Sequence, residues 1–264
     1  MMVTTLLRPS ADDIRLSTGE ALAFVDVATG APILDGLSCN LVLRRDGQLL
    51  GRARATPSGV HHWPELAAKW RQAAPGQADV FVRDDAGRFL PLSLPWPLPA
   101  APVGQVTGIT TRGATRLLQV ELFSAPGRAA PPGQASIHGL LTWQADEATV
   151  PWAHVRFVDG AGRMVDGASD AYGRLTLHLP RPRPDKAGSP PEPAAQLRVF
   201  AGAAMVGLAV PDALGFAAQP EVRALASSGQ DDAYVPAPFQ TGEPLILTTA
   251  GLPSLLRQLR LKPL

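Results

Sequence analysis

The stretch VRFVDGAGRMVDGASDAYGRLTLHLP, residues 155–180, carries the clearest structural signal in the chain. It contains three short runs in which apolar and polar residues alternate, and turn sequences rich in Asp and Gly separate them. Alternation with a period of two between such turns is typical of antiparallel strands joined by tight connections. We therefore predict strands over 154–158, 163–168 and 174–179.

The same order of features occurs earlier in the chain. Residues 41–63 read LVLRRDGQLLGRARATPSGVHHW, with a strand, an Asp-Gly turn, a second strand and a small-residue turn that ends on Gly59. The corresponding turn in the later stretch ends on Gly173. Asp-Gly between alternating runs is a strong hairpin signal, here between strands over 40–45 and 48–52. We interpret the chain as two parts built on one β pattern.

The rest of the chain divides around these two stretches. Pro64, followed by Glu-Leu-Ala-Ala-Lys-Trp, predicts the one clear helix, over 64–74. We expect a mainly β protein with two β-sandwich domains of the transthyretin or immunoglobulin type and this one short helix. The expected divisions are an N-terminal domain over 1–100, a connecting segment over 101–133 and a C-terminal domain over 134–264. Whether the two domains touch is left open.

The sequence also predicts the structure of four shorter segments of the C-terminal domain. Residues 180–195 are rich in proline and poor in apolar side chains, which predicts an exposed loop. The apolar stretch 199–210 predicts a buried hairpin whose second strand covers 204–210. Residues 245–249 predict another strand. The tail over 252–261 fits a helix or a strand, and its pattern leaves the choice open.

Composition limits the classes of function. The 264 residues include 25 Gly and 27 Pro, which argues against a helical bundle. A net charge of +1 lacks the basic surplus of a nucleic-acid-binding protein, so we expect no nucleic-acid partner. The most apolar stretch has about a dozen residues, fewer than the roughly 20 that span a bilayer, so we expect no membrane insertion.

Cysteine content and the first residues bear on the compartment. Cys39 is the single cysteine, so no intramolecular disulfide can form and nothing demands an oxidising compartment. Residues 1–9 lack the basic and apolar regions that are typical of a signal peptide. The expected location is therefore the cytoplasm.

Two short runs carry a family resemblance. Residues 150–155 (VPWAHV) and 170–175 (DAYGRL) are similar to a strand and an Asp-x-x-Gly return that recur in carboxypeptidase regulatory-like, transthyretin-like β-sandwich domains. Residues 29–36 (TGAPILDG), with Gly59 as the late turn, match the pattern more loosely. The resemblance covers about half of the chain and implies a fold, because turns and alternation specify architecture more than activity.

A narrower resemblance lies in the order of the segments. The runs VRDDAGRFLPLSLPWPLP at 82–99 and LFSAPGRAAPPGQASIHGLL at 122–141 separate the two β patterns, and a proline-rich loop follows LTLHLP. This order resembles accessory proteins of phage-tail-like contractile injection systems. The resemblance implies a baseplate or accessory component with tail-tube, spike or baseplate proteins as partners, assembled in the cytoplasm within a particle that is released later.

Two histidine patterns raise the question of metal chemistry. His62 and Glu65 form a His-x-x-Glu sequence of the kind that binds zinc in carboxypeptidases, which makes a zinc-dependent hydrolase one hypothesis. His138, His154 and His178 lie on three predicted strands and would form a zinc or copper site if they shared a face. Solvated polar side chains explain both patterns more simply. We therefore expect no catalytic, metal-binding or cofactor-binding residues, and no cofactor.

The expected activity is binding rather than catalysis. The sequence has no Gly-x-Ser-x-Gly elbow, phosphate-binding glycine loop or dinucleotide-binding fingerprint. Trp96, expected to be exposed in a proline-rich run, is the first candidate interaction residue, with Trp63 and Trp152 as further candidates. We expect a non-enzymatic structural or interaction subunit. The alternative is a recognition module for glycans or surface proteins; an exposed aromatic row would favour it, and an apolar patch would favour assembly.

Overall fold

The computed structural model describes residues 20–66, 76–98, 106–112, 115–181, 194–228, 230–237, 243–252 and 257–264. The N-terminal half contains β1 (Glu20–Asp26), β2 (Leu37–Leu43), β3 (Leu49–Arg52), β4 (Arg54–Ala55), β5 (Val60–His62), β6 (Ala78–Asp84), β7 (Leu92–Trp96), β8 (Val106–Arg112) and β9 (Thr115–Leu122). The C-terminal half contains β10 (Gln134–Trp143), β11 (His154–Val158), β12 (Met164–Ala168), β13 (Arg174–Pro180), β14 (Gln196–Phe200), β15 (Glu221–Ser227), β16 (Gln230–Ala233), β17 (Leu245–Leu247) and β18 (Gln258–Pro263). A 3-10 turn, Ala203–Met205, and a short helix, Ala213–Ala217, complete the described elements. The prediction of a mainly β protein is confirmed.

The N-terminal half is a sandwich of two sheets. One sheet has the strand order β4-β5-β1-β9-β8, and the other has the order β3-β2-β6-β7. Residues from both sheets, such as Phe24 on β1, Leu41 on β2 and Val80 on β6, are buried in one apolar cluster. The cluster forms because alternate residues of these strands are apolar and point to the same face, so that packing the two faces together removes them from water.

Two strands of this sandwich come from the predicted connecting segment 101–133. β9 runs parallel to β1 in the centre of its sheet, with Leu22 aligned to Leu118, and β8 pairs with the other side of β9. Leu118 and Val120 are buried in the core of the N-terminal half. Part of the predicted connecting segment is therefore a structural element of the first sheet.

The C-terminal half is a nine-stranded sheet around a second core. Its main path is β12-β11-β14-β15-β18-β10-β13, with β16 paired to β15 and β17 paired to β10. Phe157, Leu177 and Leu261 come from strands far apart on this path, yet they belong to one buried cluster. The sheet therefore curls on itself and encloses its core as a sandwich does. Strands β11, β12 and β13 confirm the three strands predicted between residues 154 and 179.

The glycines that close the two similar stretches share one geometry. Gly59 and Gly173 both have φ of +76°, in the left-handed region. A Cβ on Gly59 would lie 2.6 Å from the carbonyl oxygen of Ile33, and a Cβ on Gly173 would lie 2.7 Å from that of Leu141. Only glycine fits such a position, because the conformation and the space both exclude a side chain. The internal similarity of the sequence therefore reflects the same turn in each half.

We expect Gly173→Ala to destabilise the protein more than Gly162→Ala. Gly162 has φ of +78° but open space at the Cβ position, so alanine there meets only the cost of the left-handed conformation, about 1–2 kcal/mol. At position 173 the backbone must also shift, which adds about 1–3 kcal/mol. Urea denaturation of the two variants measures the difference. Equal losses would show that the turn moves freely to admit a Cβ.

One prediction for the C-terminal half is wrong, and two other predictions lie mostly outside the described residues. The strand predicted over 204–210 is wrong: the chain forms the 3-10 turn and then bends, because Gly207 adopts φ of +81° and interrupts the extended backbone. Most of the predicted helix at 64–74 and of the proline-rich loop at 180–195 lies outside the described residues. The end of the tail is a strand, β18. No helix in the described ranges has the length and apolar character needed to cross a membrane.

Candidate interaction surface at the junction of the two halves

The residues that follow β9 are fixed to the N-terminal half by a buried ion pair. Arg128 donates from Nη1 and Nη2 to the two carboxylate oxygens of Asp26, at 2.8 and 2.6 Å. Only 12% of the Arg128 side chain and 7% of the Asp26 side chain are exposed. Arg128 also donates to Ser124 Oγ, and its guanidinium lies 4.6 Å from the centre of the Phe89 ring. These contacts make the segment between β9 and β10 a fixed part of the structure.

Burial and hydrogen bonding act on Asp26 in opposite directions. Burial raises the pKa of its carboxyl group, but hydrogen bonds from Arg128, from Thr29 and from the Ala28 N–H outweigh burial and lower the pKa overall. The carboxylate is therefore ionised and well supplied with donors, as a buried charge requires.

The same segment contacts the C-terminal half. Thr176 Oγ1 on β13 donates to the Pro126 carbonyl at 3.1 Å. Gln134 Nε2, at the start of β10, donates to the Ala28 carbonyl at 2.6 Å. The two halves, whose contact the sequence leaves open, thus pack against each other around this segment.

His178 is a buried histidine close to this contact. Burial, the charge of Arg128 and the neighbouring His138 lower its pKa to about 4, against a smaller opposing effect of Asp26. Its Nδ1 lies 3.3 Å from Ser136 Oγ. The imidazole is therefore neutral in the folded protein at pH 7.

We expect acid to destabilise the protein partly through His178. Its folded pKa of about 4 lies below the ordinary value of 6.5, so its contribution to stability is complete above pH 6.5 and is lost as the pH falls towards 4. Between pH 7.5 and pH 5, the wild type should lose about 2 kcal/mol more than a His178→Leu variant, which cannot titrate there. Guanidinium denaturation at both pH values measures this difference. Parallel losses in the two proteins would contradict the assignment.

A third apolar cluster lies between the halves. Leu90 and Phe123, from the N-terminal side, pack with Trp152, Met205 and Phe216, from the C-terminal side. All five side chains are buried. Burial of apolar groups contributed by both halves favours one relative placement of the halves, since separating them would return these groups to water.

Segment 201–220, between β14 and β15, crosses from the C-terminal half to the N-terminal half. The Ser93 N–H, on edge strand β7, donates to the Pro211 carbonyl at 2.9 Å. Trp152 Nε1 donates to the Leu208 carbonyl at 2.9 Å. The segment therefore contacts the edge of β7 and is attached to both halves of the molecule.

Most of the exposed residues of this segment are apolar. We use the name junction patch for its exposed apolar residues, which are Ala203, Ala204, Val206, Leu208, Ala209, Leu214, Ala217 and Ala218. Asp212 is the only charged residue of segment 201–220, and its carboxylate accepts hydrogen bonds from the Leu214 and Gly215 N–H groups. Exposed apolar surface of this kind is typical of interaction sites. The sequence reveals the apolar composition of the segment but not its exposure.

The three tryptophans predicted as interaction residues are buried. The expected exposure of Trp96 is wrong, since only 3% of this residue is exposed. β7 directs its ring into the core of the N-terminal half, where it packs edge to face against Trp63 with the ring centroids 5.2 Å apart. Trp152 belongs to the third cluster. These rings act as core residues, and Trp152 also supports the junction patch through its bond to Leu208.

The three strand histidines do not come together. His138 and His178 share one face of β10 and β13, where His138 Nδ1 lies 3.0 Å from Thr176 Oγ1. His154 instead lies 3.0 Å from Asp166 Oδ1, through its Nε2. The arrangement therefore separates the third predicted ligand from the other two.

The His-x-x-Glu pair is also placed differently from a metal site. Glu65 is exposed and forms an ion pair with Arg54 on β4. His62 is half-buried, and burial lowers its pKa. In the described part of the chain, no group of three His, Cys, Asp or Glu side chains could hold a metal ion. The described residues thus supply no third ligand for the zinc-hydrolase hypothesis.

Cys39 is a core residue of the N-terminal sandwich. It is buried on β2, and burial raises the pKa of its thiol well above the ordinary value. A buried thiol of this kind is uncharged at neutral pH and packs as a small apolar side chain.

The chain has only remote similarity to known proteins. No protein-family model matches it, and no curated protein matches its sequence. Among solved structures, it is similar to the Bacillus anthracis TIE protein, at 11% identity and a TM-score of 0.19, over 76% of this chain and 30% of that one. The shaft pilin spaA from Lactobacillus rhamnosus GG aligns at 8% identity and a TM-score of 0.25, over 69% and 86% of the two chains. A C-terminal fragment of the pilus adhesin SpaC from the same organism aligns at 12% identity and a TM-score of 0.19, over 92% and 95%. TM-scores of this size do not define a shared topology.

Proposed function

We propose that this protein is a non-enzymatic structural or interaction subunit, and that the junction patch makes its protein contact. The observation that carries the proposal is a set of exposed apolar residues on a segment that is attached to both halves of the molecule and has one charged residue, Asp212. Removing such side chains from water is favourable in proportion to the area buried. A segment that is already held in place loses little conformational freedom on binding, so more of this gain is retained.

We further propose that the protein belongs to a phage-tail-like contractile injection particle, with tail-tube, spike or baseplate proteins as its partners. The support is the order of segments and the resemblance of residues 150–155 and 170–175 to carboxypeptidase regulatory-like domains. Assembly would take place in the cytoplasm, before release of the particle. In this role the two joined sandwiches act as a rigid spacer whose surface loops carry recognition.

Recognition of glycans or surface proteins is the alternative function. It calls for a row of exposed aromatic side chains, and in the described part of the chain Tyr172 is the one large aromatic residue that is exposed. A single ring is not a row, whereas the junction patch exposes the large apolar side chains of Val206, Leu208 and Leu214, which a protein contact would remove from water. The observations therefore favour assembly.

Capture of partners by matched variants tests the proposal. The tagged wild type, Val206→Asp and Val235→Asp are expressed in the native cells, and co-purifying proteins are quantified by mass spectrometry. Val206 and Val235 are both 60% exposed, but only Val206 lies in the junction patch. We expect particle proteins with the wild type and Val235→Asp, and about tenfold lower recovery with Val206→Asp, because an unpaired carboxylate would be buried in the contact.

Two results would overturn parts of this proposal. Equal recovery by the two variants would exclude the junction patch as the contact surface. If the wild type captures no tail or baseplate proteins, the protein is not a subunit of such a particle. Recognition of glycans or surface proteins would then be the favoured function.

A further inference from the structure

We infer that Asp35 is a site of spontaneous covalent modification, at which the folded protein converts an aspartyl residue to an isoaspartyl residue through a cyclic succinimide. The inference goes beyond the proposed function and does not depend on it. The chain has four Asp-Gly sequences, and the structure leaves one of them free to react: Asp35-Gly36, against Asp46-Gly47, Asp159-Gly160 and Asp166-Gly167.

The reaction needs only the side chain of Asp35, the backbone of Gly36 and water. The Gly36 nitrogen attacks Asp35 Cγ, and the N–Cγ bond forms as the Cγ–OH bond breaks. The hydroxyl group leaves with the amide proton as water, which closes the ring. Water then opens the ring, either at Cγ, which restores aspartate, or at the main-chain carbonyl of Asp35. The second cleavage gives isoaspartate, in which the main chain runs through Cβ and Cγ and the mass is unchanged.

Both reacting groups of the Asp35-Gly36 pair are accessible. Asp35 lies in the bend that connects β1 to β2, and 86% of its side chain is exposed. Among the described residues, the one donor near its carboxylate is Arg88 Nη1, at 3.5 Å, and the Gly36 N–H has no acceptor. The absence of a side chain on Gly36 leaves its nitrogen uncrowded. Nothing in the described residues therefore keeps the nitrogen from Cγ.

The other exposed pair, Asp46-Gly47, is held by hydrogen bonds in its turn. The Gly47 N–H donates to the Leu43 carbonyl at 2.9 Å, and the Gln48 N–H donates to Asp46 Oδ1 at 3.1 Å. The hydrogen bond from Gln48 and those from Arg45 lower the pKa of the Asp46 carboxyl group. This disfavours the protonated carboxyl, the form that loses its hydroxyl group most readily. Ring closure at Asp46 must also break the bonds from Gly47 and Gln48.

The two pairs in the C-terminal half are fixed more firmly. Asp159 is buried, and its carboxylate accepts hydrogen bonds from the backbone and the side chain of Arg163. Asp166 lies within β12, where Arg156 donates to both of its carboxylate oxygens and Gly167 is buried. Turning either carboxyl carbon towards the next nitrogen would break these contacts. The structure therefore singles out Asp35.

Isoaspartate at position 35 would disturb a contact between two loops. The Asp35 carbonyl accepts a hydrogen bond from Arg88 Nη2 at 2.8 Å, and the Gly36 carbonyl accepts one from the Asp85 N–H at 2.8 Å. Together these bonds attach the bend before β2 to the turn between β6 and β7. Isomerisation adds one carbon atom to the main chain between the two acceptors, so both bonds cannot keep their geometry. We expect the modified protein to unfold at a lower urea concentration.

Timed incubation of the full-length chain tests the inference. Wild type and Asp35→Glu, whose longer side chain disfavours ring closure, are kept at neutral pH and physiological temperature. Peptide mapping by mass spectrometry with electron-transfer fragmentation then quantifies isoaspartate at each Asp-Gly pair. In the folded wild type, we expect isoaspartate to form at least about tenfold faster at position 35 than at position 46, since closure at Asp46 must first break two hydrogen bonds.

The same incubation in urea separates the effect of the structure from that of the sequence. The unfolded chain lacks the hydrogen bonds of the Asp46 turn, so the rate at position 46 should rise towards the rate at position 35. Equal rates at the two positions in the folded protein, or the same ratio of rates with and without urea, would overturn the assignment.

Asp35→Glu also tests the structural consequence. Incubation should lower the urea midpoint of the wild type but not that of Asp35→Glu, in which isoaspartate at the other pairs forms as before. Equal falls in both proteins would show that modification at position 35 does not disturb the contact between the loops.

Discussion

Arg128→Met is expected to lower the free energy of unfolding by about 3–5 kcal/mol. The substitution leaves the buried Asp26 carboxylate without its cation, and only the donors from Thr29 and Ala28 remain. The methionine stem can still pack on the Phe89 ring, so the loss reports the missing charge rather than missing volume. Urea unfolding followed by tryptophan fluorescence measures the change.

Two further variants make this result specific to a buried pair. The double variant Asp26→Asn/Arg128→Met should recover part of the loss, because removing both charges leaves neither of them unpaired. Arg45→Met breaks an ion pair with Asp46 in which the arginine is 81% exposed, and it should cost less than about 1 kcal/mol. If Arg128→Met costs no more than Arg45→Met, then the segment that carries Arg128 is open to water and does not hold the halves together.

The features that the sequence predicts well are local. The hairpin of β2 and β3 and the three strands β11, β12 and β13 follow from alternation over a few residues and from turns at Asp and Gly. Gly59 and Gly173 are visible as turn residues for the same reason. Each of these signals lies within the element that it specifies.

The features that could not be predicted from the sequence depend on contacts between residues that are far apart in the chain. The pairing of β1 with β9 is parallel, and no turn sequence announces a parallel pair. Arg128 stands in a stretch rich in Pro and Gly, and nothing near it indicates that its partner is Asp26. Its presence at the junction becomes evident only when both halves are folded.

The exposure of the junction patch could not be predicted from the sequence either. The apolar composition of 199–210 predicts burial, but it does not show which apolar residues face a core. Met205 enters the third cluster, whereas Val206 and Leu208 face solvent, because the 3-10 turn replaces a strand. In the same way, the prolines around Trp96 indicate a rigid segment but give no direction for the ring.

Trp152→Ala is expected to give the second large loss of stability, about 3–5 kcal/mol. The indole is buried with Met205 and Phe216, so its removal leaves a cavity between the halves. It also removes the hydrogen bond to the Leu208 carbonyl and with it one attachment of the junction patch. Amide hydrogen exchange should therefore increase over residues 203–209 while β6, in the core of the N-terminal sandwich, keeps its protection.

The backbone of Trp152 allows a sharper comparison. Its φ is +55°, a left-handed conformation that costs a non-glycine residue about 1–2 kcal/mol. Hydrogen bonds at both of its backbone groups hold it there: the Trp152 N–H donates to the Asp170 carbonyl, and Gln219 Nε2 donates to the Trp152 carbonyl at 2.9 Å. Trp152→Gly should therefore be about 1 kcal/mol more stable than Trp152→Ala, the reverse of the usual order for these two residues.

Trp152→Phe separates the hydrogen bond from the ring. The phenyl group keeps most of the packing, so the expected loss of about 1 kcal/mol is that of one partly buried hydrogen bond. Hydrogen exchange over 203–209 should rise in this variant as well. If Trp152→Phe has the stability and exchange of the wild type, the indole N–H does not hold the segment. The placement of the junction patch would then depend on the other attachments of its segment, which include the Ser93–Pro211 contact and the Gln219–Trp152 hydrogen bond, and the indole N–H would add nothing to the preorganisation that the proposed function assumes.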